Sequence, residues 1–584
     1  MLVLLGAALL AGWSGASPSP SQAGAAPQAK FDGPAELPRL SVDVSMPRQT
    51  GKVTTIREGE NFQHALDRAQ CGDTIQLQAG ASFVGAFTLP AKPCDEAHWI
   101  VIRTSAPDSA LPPPGARLTP CFAGVASLPG RPSLNCASTK VVTARLEGKS
   151  NEGAIKFAPG ANHYRLIGLE ITRVPASQKL PVVYQIASAT QDSPADHIIF
   201  DRIWGHGTAQ DETAHGIRLN GMTHAAVIDS TLTDFHCIAR SGSCTDSQAI
   251  SGGNGSLPAG PFLIENNFLE AGGENIMFGG GNGTVSPTDI TIRHNYLFRP
   301  LTWHRGEAGF VGGPDGNAFI VKNNFELKVG VRVLFEGNVL ENSWGGFTQA
   351  GFAILLTPRN GAPAPSTEVT DVTIRNCIVR HTGSGMQIAN PPGEPAPSRA
   401  GERYSIHDLV FDDINEVRFE GHGNLVQLSM NPQPGTPALR HVKIDHVTAF
   451  PRRVMLAIGG PLPAQMSDII FTNNLVSAGE YAVNSTGAPC SDAPHPRNPA
   501  SIVSSCFQSF EFRNNVIVDS PPTVWPKNNF HANSAGAAGV TKFNGGVGGE
   551  YRVLPTSRYK GKGTDGKDIG ADLDAIKAAT AGVE

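Results

Sequence analysis

The chain has no run of basic residues. Its 46 Lys and Arg stand against 51 Asp and Glu in 584 residues, a mildly acidic balance that argues against nucleic acid as a partner. No cysteine pair has CxxC spacing, so a zinc site is not indicated. The apolar run from Leu2 to Ala11 is too short to span a bilayer. Ser14-Gly15-Ala16 follows it, and the two together read as a signal peptide over residues 1–16 with a small-residue cleavage site. A basic n-region is missing, which points to a start further upstream. Trp13 stands where a lipoprotein would need Cys. Residues 17–50 are rich in Pro, Ser and Ala without period and read as a disordered leader. The expected product is secreted, periplasmic or extracellular, with no transmembrane segment once the leader is removed.

Helical periodicity is also missing from the body of the chain. Its segments alternate at two residues instead. A short phrase recurs eleven times: an apolar residue, three residues that are mostly polar and often include Asn, then another apolar residue. It reads Ile264-Glu265-Asn266-Asn267-Phe268 in one copy and Ile292-Arg293-His294-Asn295-Tyr296 in the next. The other copies begin at Ile167, Phe200, Ile228, Phe335, Ile374, Phe411, Ile444, Phe471 and Phe512. Successive starts lie 27 to 43 residues apart, a loose period that marks a solenoid. In the clearest unit the strand Pro261–Glu265 meets Asn266-Asn267, then Phe268-Leu269-Glu270, then Asn275–Gly279 after a Gly-rich loop. That is three short strands per turn, with one tight Asn corner and two variable loops. Asn suits the corner because it tolerates left-handed backbone and bonds its own main chain. Asn267, Asn295, Asn338, Asn474 and Asn515 share one position of the phrase and are expected to stack as a ladder.

With this repeat the chain resembles the right-handed parallel β-helix superfamily, the pectate-lyase-like solenoids. The closest likeness is to secreted bacterial β-helix repeat proteins of unestablished activity. The expected fold is all-β: one right-handed parallel β-helix of about eleven or more coils over residues 51–575, with a C-terminal tail at 576–584. Asn61 to Ala69 reads as a short amphipathic helix with an Asn cap, plugging the open N-terminal end. Gly563 to Asp572 looks like the closing motif of such proteins, a polar terminal cap. Nine cysteines fit an oxidising compartment. Cys71/Cys94, Cys121/Cys136, Cys237/Cys244 and Cys490/Cys506 each bracket a loop, and Cys377 falls at the ladder position as a buried thiol. A monomer is expected.

The resemblance implies that ligands lie along one long sheet, formed by the strand after the variable loop. Alternation then sorts its side chains. Arg218, Asn220, Asn275, Gln387, Glu326 and Lys328 point outward, as do Lys156, Gln185, Ser251, Met277, Thr357 and Gln427. This stripe of amides and charges suits an extended polysaccharide. Loops entering the face add Asp211, His215, Asp246, Glu274, Trp303, His304, Trp344 and Gln349, the indoles being candidate platforms for sugar rings. The candidate substrate-binding residues are thus Arg218, Asn220, Asn275, Gln387, Trp303, Trp344 and His215.

Eliminating a uronic-acid polymer requires a neutralised carboxylate, a base for the proton alpha to it, and sometimes an acid for the leaving oxygen. Lys328 is the candidate base and Glu326 its catalytic neighbour. Glu274, Glu326 and Asp246 are the candidate oxygen ligands for a calcium ion. The match to β-helix lyases of alginate and chondroitin-type glycans is one of chemistry and location. Other signatures of the superfamily are incomplete. Ile444-Asp445-His446 has no preceding Trp and sits in the ordinary corner phrase. Gly205-His206-Gly207 and Gly421-His422-Gly423 lack the polygalacturonase partners. The leading expectation is therefore a secreted polysaccharide lyase acting on an acidic, uronate-containing glycan. The alternatives are a non-catalytic carbohydrate-binding or cell-surface solenoid and a β-helix glycoside hydrolase.

Overall fold

The computed structural model describes residues 29–175, 182–189, 194–238, 244–347, 349–360, 367–390, 401–430, 438–459, 466–486 and 498–584. It is a parallel β-helix. One coil runs Phe262–Glu265, Phe268–Ala271 and Glu274–Phe278. Each strand pairs in parallel with its counterpart one coil on, as in Phe262 with Ile290, Phe268 with Tyr296 and Ile276 with Phe325. The strands before and after the corner join in a sheet of 25 strands, and the third strand of each coil builds a separate sheet of 12. The right hand is the one parallel crossovers take. Among the described residues no helix is long and apolar enough to cross a membrane.

The corner follows from backbone sterics. At its third position φ is positive in coil after coil: Asn266 (54°), His294 (57°), Gly337 (61°), Asn376 (54°), Asn473 (58°) and Asn514 (55°). This is the left-handed region that Gly and Asn enter at least cost. The next position carries the ladder. Asn295 Oδ1 accepts from the N–H of Asn267, and Asn338 Oδ1 accepts from the N–H of Asn295 at 2.9 Å. A second flight runs from Asn474 through Asn515 to Asn529. Cys377 ends the first flight as a buried free thiol that accepts from the N–H of Asn338.

The registers correct three of the phrase starts. Leu166, Val227 and Ile406 align with the other copies, in place of Ile167, Ile228 and Phe411. Ile167 and Ile228 are apolar yet lie outside the main core, buried in separate clusters with Leu111 and Leu118 and with Val42. Phe411 lies five residues beyond that aligned start, inside the continuous strand Glu402–Ile414.

The helix Phe62–Arg68 forms as expected, with the Asn61 side chain accepting from the N–H of His64. Phe62 packs on Phe83 and Phe87 at that end. Three disulfides close, Cys71–Cys94, Cys121–Cys136 and Cys237–Cys244. Cys506 is disulfide-bonded, and Cys490, its expected partner, lies outside the described residues.

The leader departs from expectation where it is described. Residues 29–50 are not loose but lie along the solenoid. Phe31–Asp32 pairs with Ala35–Glu36, and the N–H groups of Glu36 and Arg39 bond Asp371 and Asp289. The reason is a second row of positive-φ residues, Asp289, Arg332, Asp371 and Arg403, whose alternating charges pair up the solenoid and hold the leader's polar groups. Residues 1–28, which include the expected signal peptide, lie outside the described residues. The C-terminal end is likewise docked. It carries the hairpin Val540–Lys542/Glu550–Val553 and the helix Leu573–Ala579, with Val583 fully buried. Asn473 Oδ1 accepts from the N–H of Thr564, so the closing motif lies on the corner edge.

Candidate functional site

The sheet of 12 strands carries two outward rows over its central coils. The longer one aligns Lys156, Ser188, Arg218, Ser251, Met277, Glu326, Leu355, Gln387, Gln427, Ala457 and Asn484. The shorter one aligns Gln185, His215, Gln248 and Glu274. Members of one strand stand three apart, not two. The N–H groups of both Asn275 and Ile276 reach Asn324 O, so one extra residue is bulged into the strand. This puts Glu274 and Met277 on the outer face and turns Asn275 inward.

Cations and carboxyls meet where the rows cross the coils of Glu274 and Glu326. Lys328 Nζ lies 3.3 Å from Glu326 Oε1. Lys322 Nζ lies 3.0 Å from Asp246 Oδ2 and 3.7 Å from Glu274 Oε1. Gln248 Nε2 donates to Glu274 Oε2 at 2.7 Å. Lys322 thus bridges the carboxyls of Asp246 and Glu274. Burial and the Glu274 charge push the Asp246 carboxyl up to about 7. Burial and the carboxylate of Glu326 also raise Glu274, against the opposing pull of Lys322. Burial works against charge on Lys328, but Glu326, Glu274 and Asp246 outweigh it and hold the ammonium above the ordinary lysine value. Lys322 is raised by its carboxyl neighbours in the same way.

Two coils towards the N-terminus, His215 is pushed down to about 3 by burial and Arg218, and stays neutral. Arg218 donates to Gln185 Oε1 at 3.2 Å, and Gln185 donates to Glu152 Oε2. Four buried atoms in this stretch have no hydrogen-bond partner among the described residues: His215 Nδ1, Arg218 Nε, Ser251 Oγ and Glu274 Oε1. Buried polar atoms are rarely left so.

No family model matches the chain, and no curated protein does. Solved structures do. An alginate lyase from Paenibacillus sp. str. FPU-7 aligns at 11% identity and a TM-score of 0.28, over 80% of this chain and 99% of that one. The pectate lyase Pel9A aligns at 10% identity and 0.37, over 89% and 96%. The PL6 family alginate lyase AlyGC aligns at 12% identity and 0.36, over 91% and 59%. The chain's own registers make it a parallel β-helix.

The structure brings Lys328, Glu326, Glu274 and Asp246 together and places Arg218, His215 and Gln387 on the same face. It does not do so for the other expected residues. Asn275 is fully buried and donates to Leu269 O and Phe298 O, because the bulge reverses its side. Asn220 is buried beyond the strand end and accepts from the N–H of Asn254. Trp303 and Trp344 are buried in a loop cluster with Phe319, Val321 and Phe419, and their indole faces are covered by Arg131 and Arg299. They are packing residues, not platforms. The expected calcium set fits poorly, since the ammonium of Lys322 already sits between Asp246 and Glu274.

Sequence reasoning missed Lys322, which stands outside any strand and follows no period. It also missed a cleft towards the C-terminal end, lined by His422, Asn424, Gln427, Arg453, Tyr481 and Asn484. There Tyr481 is 49% exposed, with the Arg453 guanidinium 5.6 Å from its ring. The advance signals were Gln427, placed outward by alternation, and His422 in the incomplete Gly421-His422-Gly423 signature.

Proposed function

We propose that the protein is a polysaccharide lyase that cleaves a uronate-containing glycan by β-elimination in an oxidising, extracytoplasmic compartment. The observation that carries this reading is the set of unpartnered buried atoms on adjacent coils, beside a cluster that mixes ammonium, guanidinium and carboxyl groups. A sugar chain offers hydroxyls and carboxylates in a row, with donors for Glu274 Oε1 and His215 Nδ1 and acceptors for Arg218 Nε and Ser251 Oγ. Lys322 supplies the positive charge that a substrate carboxylate needs when its alpha proton leaves. Asp246, with its proton affinity near neutrality, is suited to hand a proton to the leaving oxygen. Lys328 is the base in this reading. It starts as an ammonium paired with Glu326, so it must lose that proton before it can accept another. Arg218 and the cleft at Tyr481 hold the chain on either side.

One observation favours a second reading, a non-catalytic glycan-binding solenoid: Glu326 holds Lys328 protonated. A single experiment separates the two. Purified protein is incubated with alginate, pectate and glycosaminoglycans, and absorbance from unsaturated ends is followed. The lyase reading expects new absorbance on one of them, lost in Lys328→Ala. Binding without product supports the solenoid reading. New reducing ends without absorbance would support a glycoside hydrolase.

A further inference from the structure

The row of positive-φ residues that holds the leader begins differently in the first coils. There it reads His163, His197 and His224, at φ 57°, 54° and 46°. The common backbone conformation stacks the imidazoles. Ring centroids are 4.4 Å apart at each step, with the planes 4° and 9° from parallel. Further along, each row member is paid off by an opposite charge, as Asp289 by Arg332 and Asp371 by Arg403. The histidines instead share two carboxylates. Glu96 Oε1 lies 2.8 Å from His197 Nε2 and 3.8 Å from His163 Nε2, and Asp196 contacts the Nδ1 atoms of His197 and His224.

We propose that Glu96, His163 and His197 form a binding site for a borderline divalent ion of the zinc class, on a part of the solenoid separate from the glycan face. Their ligand atoms all lie within 4.8 Å of one another. His163 Nδ1 lies 2.8 Å from Asn162 Oδ1, an acceptor that places the ring proton there and leaves the Nε2 lone pair facing Glu96, as in metal-bound histidines. His197 Nδ1 lies 2.8 Å from Asp196 Oδ2 without hydrogen-bond alignment. His163 Nε2 is buried and makes no hydrogen bond among the described residues. Imidazole and carboxylate together select zinc-like ions over calcium or magnesium, which prefer oxygen alone.

Tetrahedral zinc with bonds of about 2.0–2.1 Å needs its two nitrogens roughly 3.4 Å apart and the ion near the plane of each ring, so the two imidazoles must swing out of their parallel stack to share it. The Glu96 side chain is 73% exposed and free to follow. Trp99 packs edge-on to both rings, and the Cys71–Cys94 disulfide ends just before Glu96. A bound ion would thus staple this loop to two successive coils.

The test uses the full chain, free of any polyhistidine tag and stripped with chelator, titrated calorimetrically with Zn2+ at pH 7.5. One ion per chain is expected, with a rise in melting temperature. Glu96→Gln and His163→Gln should each weaken binding by about 10-fold or more, and Asp196→Asn by roughly 10- to 100-fold. Lys328→Ala should leave it unchanged. Co2+ should give visible absorption bands that Glu96→Gln alters, a readout independent of stability. Glu96→Gln changes an exposed side chain, so its folding is not in question. Absence of stoichiometric binding, or equal binding by Glu96→Gln and His163→Gln, would overturn the site.

Discussion

Replacing Asn338 by alanine should destabilise the solenoid without touching the glycan face. Asn338 is fully buried. Its Oδ1 accepts from the backbone N–H of Asn295 at 2.9 Å and from Asn295 Nδ2 at 3.0 Å, and its Nδ2 donates to Ile292 O at 2.9 Å. Alanine removes all three bonds. Asn295 Nδ2 keeps Ile264 O and Arg293 O, so its loss is small. The Asn295 N–H is left without that acceptor, and Ile292 O loses a donor. A buried orphan costs about 1–3 kcal/mol, so one full orphan and one weakened carbonyl give roughly 2–4 kcal/mol. In a solenoid the loss is felt mainly by the coil and its neighbours. Urea denaturation with disulfides intact should show a lower midpoint, while the folded variant keeps its affinity for glycan. An unchanged midpoint would refute the ladder as a stabilising device at this coil.

Arg218 stands three registers from Glu326, a separation of about 14 Å at strand spacing, so Arg218→Ala should raise KM more than it lowers turnover. The reverse would move the reacting centre towards His215. Glu326→Ala should weaken elimination, and chelator should leave the wild-type rate unchanged if Lys322 supplies the positive charge. Thiol counting in denaturant without reductant should find one free thiol, Cys377, and a count of three or more would break the pairing scheme. His407, desolvated but held up to about 9 by Asp32 and Asp408, ties the leader to the solenoid. Its folded value lies above the unfolded one of roughly 6.5, so its stabilisation is full below that and is lost as pH rises through about 9. Proteolysis within residues 29–45 should therefore quicken between about pH 7 and about pH 10, and His407→Gln should flatten that rise.

Much of the architecture was legible because the corner imposes a chemical choice. Its third position has positive φ, which Asn and Gly enter at least cost, and an amide at the fourth can serve the coils above and below. Where both demands are met by Asn they appear as Asn266-Asn267 or Asn473-Asn474. The phrase misled where apolar side chains outside the main core imitate inward ones. Ile167 and Ile228 are covered by segments distant in sequence, and no local pattern announces that cover. The leader was illegible for a related reason. Its composition lacks a core, but it needs none, because its main chain bonds a ready row of charged side chains.

The candidate site shows where strict alternation stops serving. It placed Glu326 and Lys328 on one face, and their 3.3 Å contact agrees. It failed at Asn275, two residues before Met277, because the bulge at Asn275 and Ile276 reverses the side on which the strand begins. The same three-residue step separates Gln185 from Ser188, His215 from Arg218 and Gln248 from Ser251, so the bulge is a property of the sheet over four coils. Its effect is to set a second outward residue beside the first row. A regular strand would present one side chain at this level of each coil. The bulged strands present a pair, and this brings Glu274, held by Gln248, within reach of Lys322. The departure from regular β-structure is thus what assembles the cluster, and a substitution that restored regular pairing at Asn275 would disperse it.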